Sequence, residues 1–507
     1  MLNLYRAGAL EWTWFASGLA CLAAGARLAS GRRLAFPPPA AAWALWGAAF
    51  PLACVLFKLA QYAAHESMLD SAVMINLAWN AAHGHGLTSS LLGGVSYWSV
   101  HFAFLYALLS PVLFAWPSPV PFFVLHGLAL GSIPLCVFLL AGGDDRRDDL
   151  AWPAALLAAG HPLFCGVLGA VLDNSSYAAP LFLWAVWCWG ARRRAAAVVL
   201  ALLTLSTRET LPFLFGGLGA YAWTLARSAR ERAAAAAFAA AAAAVWLAEL
   251  SALRAAQARA GVLVDYWALY PALGGARHDV LRNVLGRPWL VAAALVWPPV
   301  KSWHFVRTML SFGFLPLAAG AAALPMLAVW LPQQLGDPAT NFHNLIGHQG
   351  SYVLGPALWA AVLGLRRADA ALGETGRRRL AGGVLAVAAC GFFAARFHLP
   401  AGALPSSWDE EGPRAVAAIA PGDKVWSDVY FASHLAARSE IKALPLGDDP
   451  SFTRGRFEPD SVLLSRHWLA RAAPEVTADV LKTVRERGLV PVFTGPDLIV
   501  LSRPRKD

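Results

Sequence analysis

Asp70, His101, Asp173, Arg208, Glu209, His348 and Tyr352 are polar or ionisable residues set at the edges of long apolar runs. Ionisable groups next to or within a membrane's apolar layer are costly and usually mark function. A carboxylate there holds a ligand or moves a proton, and the planar fork of an arginine suits phosphate. The stretch HESMLD, 65–70, places Glu66 and Asp70 just after an apolar segment, and Asp70 reads as a catalytic or ligand-positioning carboxylate. TRET, 207–210, interrupts the run between Val198 and Gly216, and Arg208 there reads as the ligand of an anionic head group. LDNSSY, 172–177, supplies Asp173 and Asn174, and NFHNLIGHQGSYV, 341–353, supplies His343, His348, Gln349 and Tyr352.

Each also has an ordinary structural use. Asp70 and Asp173 are acceptable helix N-caps. Arg208 and Glu209 could form a salt-bridged pair. His65, Asn76, Asn80, HGHG at 83–86 and His101 suit a solvated loop. VLVDYWALYPALGGARHDVLRNVLGR, 262–287, offers Arg277, His278 and Arg282 to phosphate or sugar, but reads better as an amphipathic helix at an interface. The His residues have no metal-ligand spacing, no CxxC pair exists among the six cysteines, and no Gly-rich phosphate loop, GxSxG or HExxH occurs. A divalent metal ion stays open as a cofactor, without a motif to hold it.

The elements that would position these residues are membrane helices. The 507 residues have a mean hydropathy of +0.51 and only 14% charged residues, against about 25% in soluble proteins. Runs such as 40–57 and 308–331 approach the length of a transmembrane helix. The first run, 11–27, lacks a basic leader beyond Arg6 and reads as a span, not a signal peptide.

The net charge of +10 reads as topology, not nucleic-acid binding, because the arginines lie between apolar runs. Arg27, Arg32 and Arg33, the loop 142–149, Arg192 to Arg194, 227–232, Lys301 with Arg307, and 366–379 are assigned to the cytoplasmic side. The segments 62–119 and 332–349 contain no Lys or Arg and are assigned outside. About twelve crossings then close the pattern, with both termini outside. The runs 177–191 and 195–208 are short for spans, as helices lining a cavity can be, and 101–116 reads as an interfacial helix. After 404 the pattern changes to strands at 424–429, 461–465, 489–494 and 497–502, with a helix over 473–488 stopped by Gly488.

Asp70 is followed by LAWN at 77–80, HGHG at 83–86, SSLLGG at 89–94, HFAF at 101–104 and PSP at 117–119, and the tail contains AIAPGDKVWSDVYFASHLAARSEIKALP. In that order these residues resemble a family of bacterial multi-spanning membrane proteins of unassigned function. That family is similar to the GT-C superfamily of polyprenyl-phosphate-sugar glycosyltransferases. The chain departs from the family pattern at Ile75, where a second aspartate is usual. It lacks the histidine of an Asp-Phe-His-Pro motif at Asp173, and carries Arg208, Glu209, Thr210 in place of Lys-Glu-Asp. The resemblance implies that Asp70 activates an acceptor hydroxyl, that Arg208 holds the donor phosphate, and that Asp173 helps bind acceptor or donor. Glu209, His101, His348 and Tyr352 would line the same cavity.

The reading is thus of a mainly α protein. A polytopic, GT-C-like helical bundle of about twelve spans covers 1–404, with interfacial helices in an outer loop, 62–119, and a small soluble α/β domain covers 405–507 on the periplasmic or extracellular side. Its expected activity is transfer of a sugar from a polyprenyl-phosphate donor to an acceptor glycan, lipid or protein at the outer face of a bacterial inner membrane, with membrane lipid as a further partner. A transporter or flippase of a lipid-linked sugar would use the same cavity without a base, although no inverted repeat is visible. A scaffold whose C-terminal domain binds a partner would need neither Asp70 nor Arg208.

Overall fold

The computed structural model describes residues 9–32, 34–142, 148–261, 266–340, 345, 347–394, 404–444 and 457–504. Arg33, Arg146, Arg147 and His343 lie outside these residues. Among the described residues, Pro39–Ala63, Val120–Gly142 and Ala229–Ala260 are long and apolar enough to cross a membrane. Asp149–Gly160 and Pro162–Gly169, bent by 47° at His161 and Pro162, make a fourth if the pair is one span.

The expectation of about twelve spans, several of them short, is therefore corrected. Many apolar runs are broken before they reach spanning length. The run 308–331 is divided by Phe314, in a left-handed conformation at φ 57°, and by Gly320. The helices Ala178–Gly190 and Arg194–Leu205 have 13 and 12 residues. The run 101–116 forms two short helices, Leu105–Leu109 and Val112–Ala115. The first apolar segment, Ala9–Ala29, packs along Glu374–Ala394. A Cβ on Gly25 would meet the Gly382 carbonyl at 2.9 Å, so small residues allow this close approach.

Hydrogen bonds tie the loops into two groups. Phe104 N donates to Ser206 O (2.9 Å), Leu172 N to Ser71 Oγ (2.9 Å), Asp337 N to Leu269 O (2.8 Å), and Ser351 Oγ to Ser176 O (3.1 Å). These join the loops around 70–104, 170–176, 206, 269, 337 and 351 at one end of the bundle. At the other end Arg378 Nη1 donates to Gly31 O (2.8 Å). Lys301 was assigned to the side opposite 332–349, and the structure corrects this. Its buried ammonium donates to Ala294 O (2.9 Å) and Leu335 O (3.2 Å), closing the ends of two helices, so Lys301 lies at the helix end that leads into residues 336–340. Positive charge near a helix end marks a flank only when it is free to meet water or lipid head groups.

The C-terminal region forms a five-stranded sheet of β1 (Val425–Ser427), β2 (Ile441–Ala443), β3 (Ser461–Ser465), β4 (Val490–Thr494) and β5 (Leu498–Ser502), in the order β2-β1-β3-β5-β4. β1 is parallel to β2 and β3, while β5 is antiparallel to β3 and β4. The helix Pro474–Glu486 covers the sheet and ends before Gly488, at φ 62°.

This sheet is docked onto the helix Met68–Ala82, whose residues 71–78 are buried on every side. Asn76 Nδ2 donates to Ala436 O (3.2 Å) and Arg438 O (2.7 Å). Ser67 Oγ lies 2.5 Å from Ser433 Oγ, and Ser90 Oγ donates to Ile441 O (2.9 Å) on the outer edge of β2. Tyr62 stacks on His434 with ring centroids 4.0 Å apart. Ala72, Ile75 and Leu77 share one apolar core with Trp408, Phe431, Leu463 and Leu498.

Candidate functional site

The helix Met68–Ala82 begins at Ser67, whose hydroxyl turns to Ser433 instead of capping the helix. Asp70 stands within the first turn and is not the N-cap. One face of the helix is held to the C-terminal domain. The other is held to the 170–176 turn by the bond from Leu172 N to Ser71 Oγ and by Asn174 Nδ2, which lies 3.2 Å from Met74 Sδ. The turn itself is anchored from below. Lys58 Nζ, fully buried, donates to Ala170 O, and Gln61 Nε2 donates to Gly169 O (2.6 Å).

Asp173 both caps and faces the cluster. Its Oδ1 accepts from Ser175 N (2.8 Å) and from the Ser175 hydroxyl, capping the short helix Asn174–Tyr177. Its Oδ2 faces Arg208 Nη1 at 3.9 Å. Burial alone would raise its pKa, but His348, Arg208 and the Ser175 hydrogen bonds outweigh it and hold the carboxyl well below the usual range.

Arg208 stands at the centre. Its Nη2 donates to His101 Nε2 (2.7 Å) and its Nε lies 3.6 Å from Glu209 Oε1. Glu209 Oε1 is also 3.1 Å from His101 Nδ1, and Oε2 accepts from Phe102 N (3.1 Å). Tyr266 stacks on His101 and its hydroxyl donates to Val100 O. Burial works against the Glu209 carboxylate, but His101 and Arg208 bring its pKa down to about 2. Arg208 is held above its ordinary value because Tyr352, Glu209 and Asp173 outweigh the effect of its burial.

Asp70 differs from the other carboxylates. Its side chain reaches solvent, yet protein surrounds it closely enough for desolvation to raise its pKa. Asp173 raises it further, while His348, Arg208 and His101 pull it down. The seven singled-out residues thus share one electrostatic neighbourhood: Asp173, His348, Arg208 and His101 act on Asp70, and Glu209 and Tyr352 act on Arg208.

The remaining readings divide: 277–286 is a helix with its basic residues exposed and HGHG is solvated, as read, whereas His65, Asn76 and Asn80 do not lie in a solvated loop. Arg277, His278 and Arg282 are exposed on the helix Arg277–Gly286, where His278 pairs with Asp279 at 3.4 Å. His65, Asn76 and Asn80 are buried, with His65 and Asn76 facing the C-terminal domain. His83 and His85 are exposed, His83 stacking on Trp79. Tyr97, Tyr266 and Glu249 belong to the cluster but were not anticipated. Glu249 carried a signal, as a lone carboxylate in the apolar stretch after Arg232. Among the described residues, no three His, Cys, Asp or Glu side chains are gathered as metal ligands would be.

The family model described as "Predicted membrane protein (DUF2079)" matches residues 64–485. The chain belongs to the DUF2079 family. The match contains every residue of the cluster, from Asp70 to Tyr352, so in this DUF2079 membrane protein the site lies in the part that defines the family. No curated protein matches the chain.

Proposed function

We propose that this DUF2079 protein is a GT-C-like integral membrane glycosyltransferase that takes a sugar from a polyprenyl-phosphate donor at the outer face of a bacterial inner membrane. The observation that carries the reading is the shared electrostatic neighbourhood of Asp70 and Arg208, which are far apart in the chain. Asp70 takes the proton of the acceptor hydroxyl as that oxygen attacks the anomeric carbon of the sugar. Its raised pKa makes it a better base than an ordinary carboxylate. The bond from that carbon to the phosphate oxygen breaks, its electron pair leaves with the phosphate, and Arg208 stabilises the charge that develops there. Asp173 and Glu209 orient Arg208, and His348 and Tyr352 line the same space.

On this reading the shorter helices complete the bundle beside the three or four long ones, and the arginine-rich loops face the cytoplasm. The C-terminal domain then stands on the periplasmic side, against the helix that carries Asp70. The test is native mass spectrometry of the detergent-purified protein with added polyprenyl phosphate. A bound lipid of that mass, lost in Arg208→Ala, is expected. No binding with lipid in excess would sink the donor assignment.

A further inference from the structure

The helices Ala178–Gly190 and Arg194–Leu205 pack side by side and are joined by a three-residue turn, 191–193. Around that turn stand three consecutive arginines, Arg192, Arg193 and Arg194, all exposed. Among the described residues no carboxylate pairs with any of them. The second helix has Arg193 as its N-cap, no side-chain cap and no acidic residue in its first turn. Positive charges thus crowd the positive end of a helix, which is unfavourable until an anion joins them.

Two of the guanidiniums are already held in place. Arg194 Cζ lies 3.9 Å from the centroid of the Trp189 ring, and its Nη1 donates to Trp189 O (3.3 Å). Arg193 Cζ lies 5.2 Å from the centroid of Trp187. Stacking occupies the flat face of a guanidinium and leaves the N–H groups along its edge for a phosphate.

Beside the arginines the surface becomes apolar. Arg194, Val198 and Leu202 follow one another at four-residue intervals on one face of the helix, and all three are exposed, with Val199 beside them. A cationic head above an exposed apolar stripe complements a phospholipid, with its phosphate at the turn and its acyl chains along the helix. A free anion would use only the head of it. The helix rises about 18 Å over its 12 residues, against about 30 Å for the hydrocarbon layer. A basic turn held short of the head groups draws them inward. Arg208 follows the far end of the same helix, so the turn is a separate place for a phosphate.

We propose that the arginine turn 192–194 binds the phosphate of an anionic phospholipid whose acyl chains lie along Val198 and Leu202. The inference rests on the membrane placement of this helix pair and on no step of the proposed reaction.

The test is native mass spectrometry of the full-length detergent-purified protein with phosphatidylglycerol and phosphatidylcholine of identical acyl chains. Phosphatidylglycerol is expected to be retained about tenfold better. Arg192→Gln, Arg193→Gln and Arg194→Gln together should make retention equal, and each alone should remove part of the preference. Replacing Arg227, Arg230 and Arg232 by Gln removes the same charge from another exposed stretch and should leave the preference in place. Equal retention by the native protein, or a preference that survives the triple change at 192–194, would overturn the proposal. An equal loss in the 227–232 variant would also overturn it, because net charge and not this turn would then be responsible. Displacement of the lipid by millimolar inorganic phosphate would reduce the turn to a free-anion site and sink the lipid assignment. Polyprenyl phosphate differs in mass and its binding depends on Arg208, so the failure of either reading is seen separately.

Discussion

His101 Nε2 lies 2.7 Å from Arg208 Nη2, and the protonation of the imidazole follows from that contact. A guanidinium only donates, so Nε2 accepts and carries no proton. The proton sits on Nδ1 and points at Glu209 Oε1, 3.1 Å away. His101 is therefore neutral and passes the charge of Glu209 to Arg208 through its ring. Burial and Arg208 both lower its pKa, in agreement with that assignment. Its role is to position Arg208, not to act as a base.

This arrangement predicts different outcomes for two substitutions. His101→Gln can accept from Arg208 with its carbonyl and donate to Glu209 with its amide, so lipid binding should be retained. His101→Phe leaves two buried charged groups short of a partner. It should cost about 1–3 kcal/mol in thermal stability and abolish lipid retention in native mass spectrometry.

Asp70→Asn separates transfer from transport. The amide keeps the shape but cannot take a proton. Transfer of labelled sugar in reconstituted vesicles should fall about 10²–10⁴-fold, while donor binding at Arg208 persists. Full function in this variant would favour a carrier of lipid-linked sugars over an enzyme.

The docked position of the C-terminal domain can be trapped. With Ser67 Oγ and Ser433 Oγ 2.5 Å apart, Ser67→Cys with Ser433→Cys should form a disulfide under mild oxidation. Five of the six native cysteines are buried, so only Cys390 needs replacing first. A shift in gel mobility reversed by reductant is expected. A domain that swings free of the bundle would give none. Asn76→Ala should loosen the same contact, since Asn76 also accepts from Ser89 Oγ (3.0 Å) and Ser90 N (2.9 Å), with a cost of about 2–4 kcal/mol.

Acid should destabilise the protein in two stages. His101 and His434 have folded pKa values below the ordinary 6.5, chiefly through burial. The unfolded chain therefore binds their protons first as pH falls, and their contribution declines below about pH 6.5. Glu209, at about 2 against an ordinary 4.5, contributes fully above that ordinary value and loses its contribution as pH falls towards 2. Melting temperatures measured from pH 8 to pH 3 should fall in both windows, and His101→Gln should shrink the first.

The cluster was legible where chemistry contradicts its surroundings. Asp70, Asp173 and the pair Arg208–Glu209 stand out because apolar runs do not need them, and His101, His348 and Tyr352 stand at the edges of the same loops. Tyr97 and Tyr266 were not legible, because a tyrosine near a membrane surface reads equally as part of an aromatic belt. Glu249 was passed over because its alanine-rich helix reads as a plain span, although a lone carboxylate in such a stretch is itself a signal. The docking of the C-terminal sheet could not be read either. Ser67 and Asn76 look like capping residues, and their partners lie in a distant part of the chain. β2, with only three residues, is too short to show any alternation. The number of spans was overread because an apolar run records what the chain avoids, water, but not where a glycine or proline will bend it.

The helix Ala229–Ala260 also works as a depth gauge. From Arg232 to Glu249 it rises about 25 Å at the usual helical pitch, close to the thickness of a bilayer's hydrocarbon layer. With Arg232 among the head groups of one leaflet, Glu249 emerges among those of the other. The turns beyond it stand above the membrane like a mast. Arg208 neighbours Glu209, the carboxylate that acts on Glu249, and on the proposed reading lies at the level of lipid phosphates. A long-chain phosphate could meet it by sliding sideways in its own leaflet, its tail never leaving oil, while a water-borne partner came down to Asp70 from above.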